Sequence, residues 1–185
     1  MEVWQRVSTL TCFEDYTFTK APVPEYDEDS YNLAFERCKE NKCGTFGTNW
    51  GCNPGAKMDV AAFYKEYDYV VIMSRRFEVD TKDTEYLDTI MDDVQRNFRR
   101  MILQLRDNNV DCVGFLDGPC RYCGECAYPD PCRFPDMKIV SVSTLGINLR
   151  EYFKSFGQEF KFEEGSVTFY GFIFVRSNEH SAQND

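Results

Sequence analysis

Histidine is nearly missing from this 185-residue chain: the only one, His180, sits in a polar tail, Ser177-Asn178-Glu179-His180-Ser181, that reads as mobile. That scarcity excludes a histidine-based catalytic triad, a histidine-rich zinc site and a two-histidine facial triad. Any metal is therefore bound mainly through sulfur. No apolar run is long enough to span a membrane, and the first residues, Met1-Glu2-Val3-Trp4-Gln5, lack the charged-then-apolar layout of a signal peptide. The expectation is a soluble, cytoplasmic protein with no membrane partner. Positive charge is scarce as well. With 21 Lys and Arg against 31 Asp and Glu the net charge is −10, which repels phosphates and leaves nucleic acid without support as a partner. No P-loop and no G-x-G-x-x-G after a strand is present, so nucleotide binding lacks support too.

Internal repeats and clear linkers are also missing. The expected organisation is one domain over residues 1–185, with 1–35 as an N-terminal extension of unassigned role and 177–185 as a disordered tail. Hydrophobic residues at 43% and aromatic residues at 16% exclude a disordered chain and are enough to build a core.

What the chain has in excess is cysteine: nine, at positions 12, 38, 43, 52, 112, 120, 123, 126 and 132. An odd count without a signal peptide argues against a disulfide framework, and clustered thiols in a reducing compartment point to metal. Cys120-Arg-Tyr-Cys123-Gly-Glu-Cys126 followed by Cys132 has the spacing C-x2-C-x2-C-x5-C. Three thiolates two residues apart wrap one face of a cubane cluster, and the fourth completes it. The nearest comparison is the ferredoxin run C-x2-C-x2-C-x3-C-P, whose fourth cysteine serves another cluster. A zinc site is the alternative, although zinc ligands usually come as two separated C-x2-C pairs.

Cys38, Cys43 and Cys52 form a second group, C-x4-C-x8-C, in a loop rich in Gly, Asn and Thr. Residues 37–57 carry Arg37, Lys39, Lys42 and Lys57 against Glu40, a local +3 that suits thiolates, an anionic cluster or an anionic substrate. The alternatives are a glycine-rich loop with three buried thiols, a fourth ligand from Cys12, or convergence of both groups on one site. Cys112 reads as a small apolar core residue within a strand.

The pattern between these groups predicts an α/β fold. Residues 31–37 read as a short helix, 57–67 as another, and residues 21–29 as an extended acidic connection whose stretch 25–29 is solvated. Tyr69-Val70-Val71-Ile72-Met73 is a strand buried on both faces. Leu87, Ile90, Met91, Val94, Phe98, Met101, Ile102 and Leu105 recur every three or four residues, a helix over about 83–107 stopped by Asn108-Asn109. Val110 to Leu116 is a second strand, so the unit favours a right-handed crossover between parallel strands. The Cys120 loop then hangs from the carboxyl end of a strand, where open α/β sheets place ligands. Asn148 caps a short helix stopped by Gly157, and Ser166 to Arg176 is a closing strand. The predicted class is a single α/β domain, a small mixed sheet with a long crossover helix and cysteine-bearing loops at one end.

These residues carry a resemblance. Trp50-Gly51-Cys52-Asn53-Pro54, then strand, long helix and strand, then Gly118-Pro119-Cys120-Arg121-Tyr122-Cys123, Cys126-Ala127, Cys132-Arg133-Phe134-Pro135 and Ser143-Thr144-Leu145-Gly146-Ile147 follow in order. Over roughly residues 36–175 the chain resembles a family of small, cysteine-rich predicted metal-binding proteins of unknown function from anaerobic archaea and bacteria. Where that family tends to have two prolines after its third cysteine, this chain has Asn53-Pro54. The resemblance implies metal binding and an anaerobic setting, and no particular reaction.

The expected cofactor is one or two 4Fe-4S clusters, with zinc as the alternative, and the expected partner is a redox protein whose basic patch meets this acidic surface. Arg121 and Arg133 flank ligand cysteines and are read as cofactor-binding; pairing with Glu125, Asp130 or Asp136 is the alternative. Tyr122, Tyr128 and Phe134 are expected to shield the cluster from water. An enzyme using an open iron on Cys38, Cys43 and Cys52 is the second functional reading. A zinc-stabilised binding module is the third.

Overall fold

The computed structural model describes residues 13–176; Cys12, His180 and the expected disordered tail lie outside the described residues. Five strands form one mixed sheet: β1 (Thr17–Ala21), β2 (Tyr69–Glu78), β3 (Asp111–Leu116), β4 (Val140–Ser141) and β5 (Ser166–Arg176), in the order β1-β2-β5-β3-β4. Four helices accompany them: α1 (Glu28–Lys39), α2 (Val60–Tyr64), α3 (Thr84–Asp107) and α4 (Leu149–Ser155). The expected α/β class and the long crossover helix are both present.

The crossover differs from expectation in one respect. β2 and β3 do run parallel, but they are not neighbours, because β5 lies between them and pairs antiparallel with each. The last strand is the most apolar, with Phe169, Phe172, Ile173, Phe174 and Val175 all buried. The central position buries both of its faces, so it takes the strand with apolar residues on both.

Alternation along the strands then separates two cores. Val71, Met73, Phe169 and Ile173 face α3, which contributes Ile90, Val94, Phe98, Met101, Ile102 and Leu105. Val70, Ile72, Phe172 and Phe174 face the other way, onto Val60, Tyr64, Tyr152 and Phe153 of α2 and α4. The helix comes close to the sheet because Gly114 and Gly171 lie under the Phe98 ring. A Cβ at either would stand 2.7 Å or 2.6 Å from a ring carbon. Asp83 caps α3 by accepting from the Tyr86 N–H at 3.0 Å, and Asn108 closes it.

Residues 21–29 are not extended throughout, contrary to the sequence reading. Asp27 caps α1, accepting from the Ser30 N–H at 2.7 Å, and Glu28 and Asp29 form the first turn. Carboxylates there are stabilised by the helix dipole, which turns an apparent charge run into a helix start. Residues 13–26 belong to the same body: Phe13 is fully buried, and β1 pairs with β2 from Thr17↔Ser74 to Ala21↔Val70.

Candidate metal centre

The cysteine loops gather beyond the carboxyl ends of β3 and β4. β3 stops at Leu116, and Gly118, at φ +82°, turns the chain out of the sheet toward Pro119 and Cys120. A non-glycine residue would be strained at that φ. Gln95 of α3 holds the exit. Its Nε2 donates to the Pro119 carbonyl at 2.6 Å, and its Oε1 accepts from the Arg121 N–H at 3.0 Å. The side chain is 0% exposed although its stripe of α3 is otherwise apolar, so a fully buried amide fixes both peptides that flank Cys120.

Cys120, Cys123, Cys126 and Cys132 line one small cavity, together with Asn49, Trp50, Tyr122, Phe134 and Lys138. Hydrogen-bond donors point at the sulfurs. The Trp50 backbone N–H donates to Cys126 Sγ at 3.4 Å, and Arg99 Nη2 lies 3.8 Å from Cys120 Sγ. Tyr122 and Phe134 meet edge to face at 5.2 Å over the cavity, and Tyr128 packs on Trp50 at 4.9 Å. Among the described residues no carboxylate lines the cavity.

The second group is its neighbour. Cys38 sits in the last turn of α1, and Cys43 and Cys52 lie in the loop that follows. The Thr45 hydroxyl stands 3.1 Å from Cys43 Sγ and donates to Cys52 Sγ at 3.5 Å, while Cys38 Sγ lies 4.0 Å from the Ser143 hydroxyl. Hydrogen bonds from Thr45 hold the Cys43 thiol below its ordinary range. Burial pushes Cys52 up to about 11, opposed by Thr45 and reinforced by Cys43, Cys38 and Cys120. Cys52 thus feels thiols of both groups.

Residues 49–51 form the wall between them. Asn49 Nδ2 donates to the Cys120 carbonyl at 2.9 Å, and the Trp50 indole N–H donates to the Asp130 carbonyl at 2.8 Å. A Cβ on Gly51 would stand 2.9 Å from the Cys120 Cβ and 2.3 Å from the Ile139 carbonyl oxygen, so only glycine fits. The local positive charge of this region is smaller than its composition suggests, because Lys39 pairs with Glu36 and Lys42 with Glu40.

Arg121 and Arg133 are engaged away from the cavity lining. Arg121 forks onto Asp92 at 2.6 Å and Asp88 at 3.0 Å, both on α3, and Arg133 donates to the Glu125 carbonyl within the cysteine loop. The cations beside the thiols are instead Arg99 and Lys138. Sequence reasoning missed both, along with Gln95 and Asn49. The one available signal was a glutamine on the apolar stripe of α3. Cys112 is buried in β3 and its thiol is pushed up to about 11 by burial, as a core residue.

Among the described residues no three His, Cys, Asp or Glu side chains stand as a group able to hold a metal ion. The donor chemistry nonetheless fits a thiophilic group: four thiols on one cavity wall, N–H donors directed at sulfur, and no hard oxygen ligand among them. A family model described as predicted metal-binding protein (DUF2284) matches residues 31–175, a span that includes both cysteine groups. The chain belongs to this family. Comparison with curated proteins and with solved structures found no match. In this DUF2284 protein, no helix of the described residues is long and apolar enough to cross a membrane.

Proposed function

We propose that this chain is an iron–sulfur electron carrier whose 4Fe-4S cluster is held by Cys120, Cys123, Cys126 and Cys132. The observation that carries the reading is the single cavity lined by all four thiols of the C-x2-C-x2-C-x5-C run, with the Trp50 N–H directed at one of them. When bound, such a cluster supplies one-electron transfer at a potential set by charge, hydrogen bonds to sulfur and solvent access. This chain's residues act on each of those. Arg99 and Lys138 bring positive charge, Trp50 brings the hydrogen bond, and Tyr122 and Phe134 limit water. The eight cysteines of the described residues are all free, which suits a reducing, cytoplasmic and anaerobic setting.

Anaerobic purification with iron, acid-labile sulfide and zinc analysis tests this. Iron and sulfide near four each per chain, lost in Cys123→Ser, are the expected result. A colourless protein with stoichiometric zinc and no labile sulfide would refute it and leave a zinc-stabilised binding module.

A second reading rests on Cys38, Cys43 and Cys52. Cys43 is exposed, and Thr45 and Ser143 place hydroxyls beside all three thiols. A cluster with three protein ligands leaves one iron open for a small substrate, which would make the chain an enzyme of non-redox or sulfur-transfer chemistry. Eight irons per chain, half of them lost in Cys38→Ser, together with a paramagnetic spectrum that changes on adding sulfide or cyanide, would support it.

A further inference from the structure

The chain carries −10 overall, yet the face beside the Cys120 cavity is basic. A groove of about 410 Å³ runs along α3, lined by Arg96, Arg99, Arg100 and Arg121 against a single carboxylate, Asp92. Two of these arginines are matched: Arg121 by Asp88 and Asp92, and Arg96 by Asp93 at 2.8 Å. Among the described residues Arg99 has no carboxylate partner: its guanidinium contacts the Gln95 amide oxygen, the Met137 carbonyl, Cys120 Sγ and the Tyr122 ring. Arg100 is exposed, and among the described residues no carboxylate pairs with Arg100 or Lys138.

The same face shows apolar surface. Leu103 is 36% exposed, Tyr122 40% and Phe134 46%, and together they border the groove and the cavity. Tyr122 lines both, and Arg99 joins them through Cys120. Aromatic residues and arginine are the types enriched at protein interfaces, with charge complementarity steering the encounter.

We infer that this face docks an acidic redox protein, one that presents carboxylates to Arg99, Arg100 and Lys138 and an apolar patch to Tyr122, Phe134 and Leu103. The inference rests on the electron-carrier reading and reverses the polarity expected from net charge: the partner's contact surface is acidic, and this chain supplies the basic patch. A nucleic acid fits less well, because a long polyanion extends past this face and meets the −10 of the whole chain, and makes less use of the aliphatic Leu103. A small anion makes no use of the aromatic pair.

The test uses the full chain purified anaerobically, with an acidic flavodoxin and the basic cytochrome c as probes. Binding is measured by calorimetry at low and high salt, and electron transfer by stopped flow. Arg96→Glu/Arg100→Glu reverses two exposed charges outside the cysteine cavity, and Arg150→Glu on α4 is the control. Flavodoxin binding is expected to weaken about tenfold in the double variant and with added salt, with Arg150→Glu leaving it unchanged and the double variant not slowing the cytochrome c rate. Equal loss in Arg150→Glu, no loss in the double variant, or displacement of flavodoxin by millimolar inorganic phosphate alone would overturn the docking surface. Iron and sulfide counts on every variant keep the two readings apart. A chain without labile sulfide that still binds flavodoxin through this face refutes the electron carrier and keeps the surface.

Discussion

Gln95→Met removes the amide that fixes the entry to Cys120 while nearly preserving side-chain volume, so no large cavity opens. Three hydrogen bonds are lost: to the Pro119 carbonyl, from the Arg121 N–H and from the Arg99 guanidinium. The first two leave partly buried backbone groups unpaired, at a cost of about 1 kcal/mol or somewhat more each. Water replaces Gln95 at the partly accessible Arg99. The sum is a loss of about 2–3 kcal/mol. With a urea dependence of about 2 kcal/mol per molar, the unfolding midpoint falls by about 1–1.5 M at unchanged slope. Because the flanking peptides of Cys120 are the ones released, metal bound to the purified variant also transfers to a chelator faster than in the wild type. A midpoint shift below about 0.3 M, or chelation kinetics equal to wild type, would refute the role given to Gln95.

Three further outcomes follow from the geometry. Gly171→Ala places a Cβ 2.6 Å from the Phe98 ring and 3.1 Å from Met73 Cε, and is expected to cost about 1–3 kcal/mol by thermal or urea unfolding. Asp117 is raised to about 6 by burial, opposed by the Tyr170 N–H that donates to it at 2.8 Å. The folded state then holds this proton more tightly than the unfolded chain, so its contribution is greatest below about pH 4 and is lost as pH rises through about 6. Asp117→Asn should remove about 1–2 kcal/mol of that fall, seen as a difference between the two stability–pH curves; parallel curves would refute it. Thr45→Val deletes the hydroxyl beside Cys43, and the metal-free protein should alkylate more slowly at that exposed thiol near neutral pH, read by peptide mass analysis.

The parts of the fold that were legible in sequence are those whose cause is local. α3 announces itself through an apolar stripe from Ile90 to Leu105, broken only by Gln95, and its ends through Asp83 and Asn108. α4 does the same through Asn148 and Gly157. The insertion of β5 between β2 and β3 was not legible, because pairing with strands about ninety and sixty residues earlier is decided by which strand best fills a doubly buried slot. The cysteine groups were legible as spacing, and the gathering of Cys120 to Cys132 on one cavity accords with it. Their supporting residues were not. Gln95 and Arg99 come from a helix more than twenty residues upstream, and a single sequence gives no sign that a polar side chain reaches across to another loop. The pairing of Arg121 with Asp88 and Asp92 was hidden for the same reason, since both carboxylates lie about thirty residues before it in sequence.

The wall formed by residues 49–51, with Cys52 next in the chain, has a practical consequence for separating the two cysteine groups. Asn49 grips the Cys120 carbonyl, Trp50 gives its N–H to Cys126, Gly51 accepts from the Ser141 N–H at 2.7 Å, and Cys52 belongs to the other group. One short stretch therefore furnishes a thiol on one side and scaffolding on the other. Deleting or replacing it removes the footing of both groups at once, and a double loss of metal would say nothing about whether they share a site. Point changes at thiols that make no hydrogen bond to the wall, Cys38 on one side and Cys132 on the other, are the cuts that separate them.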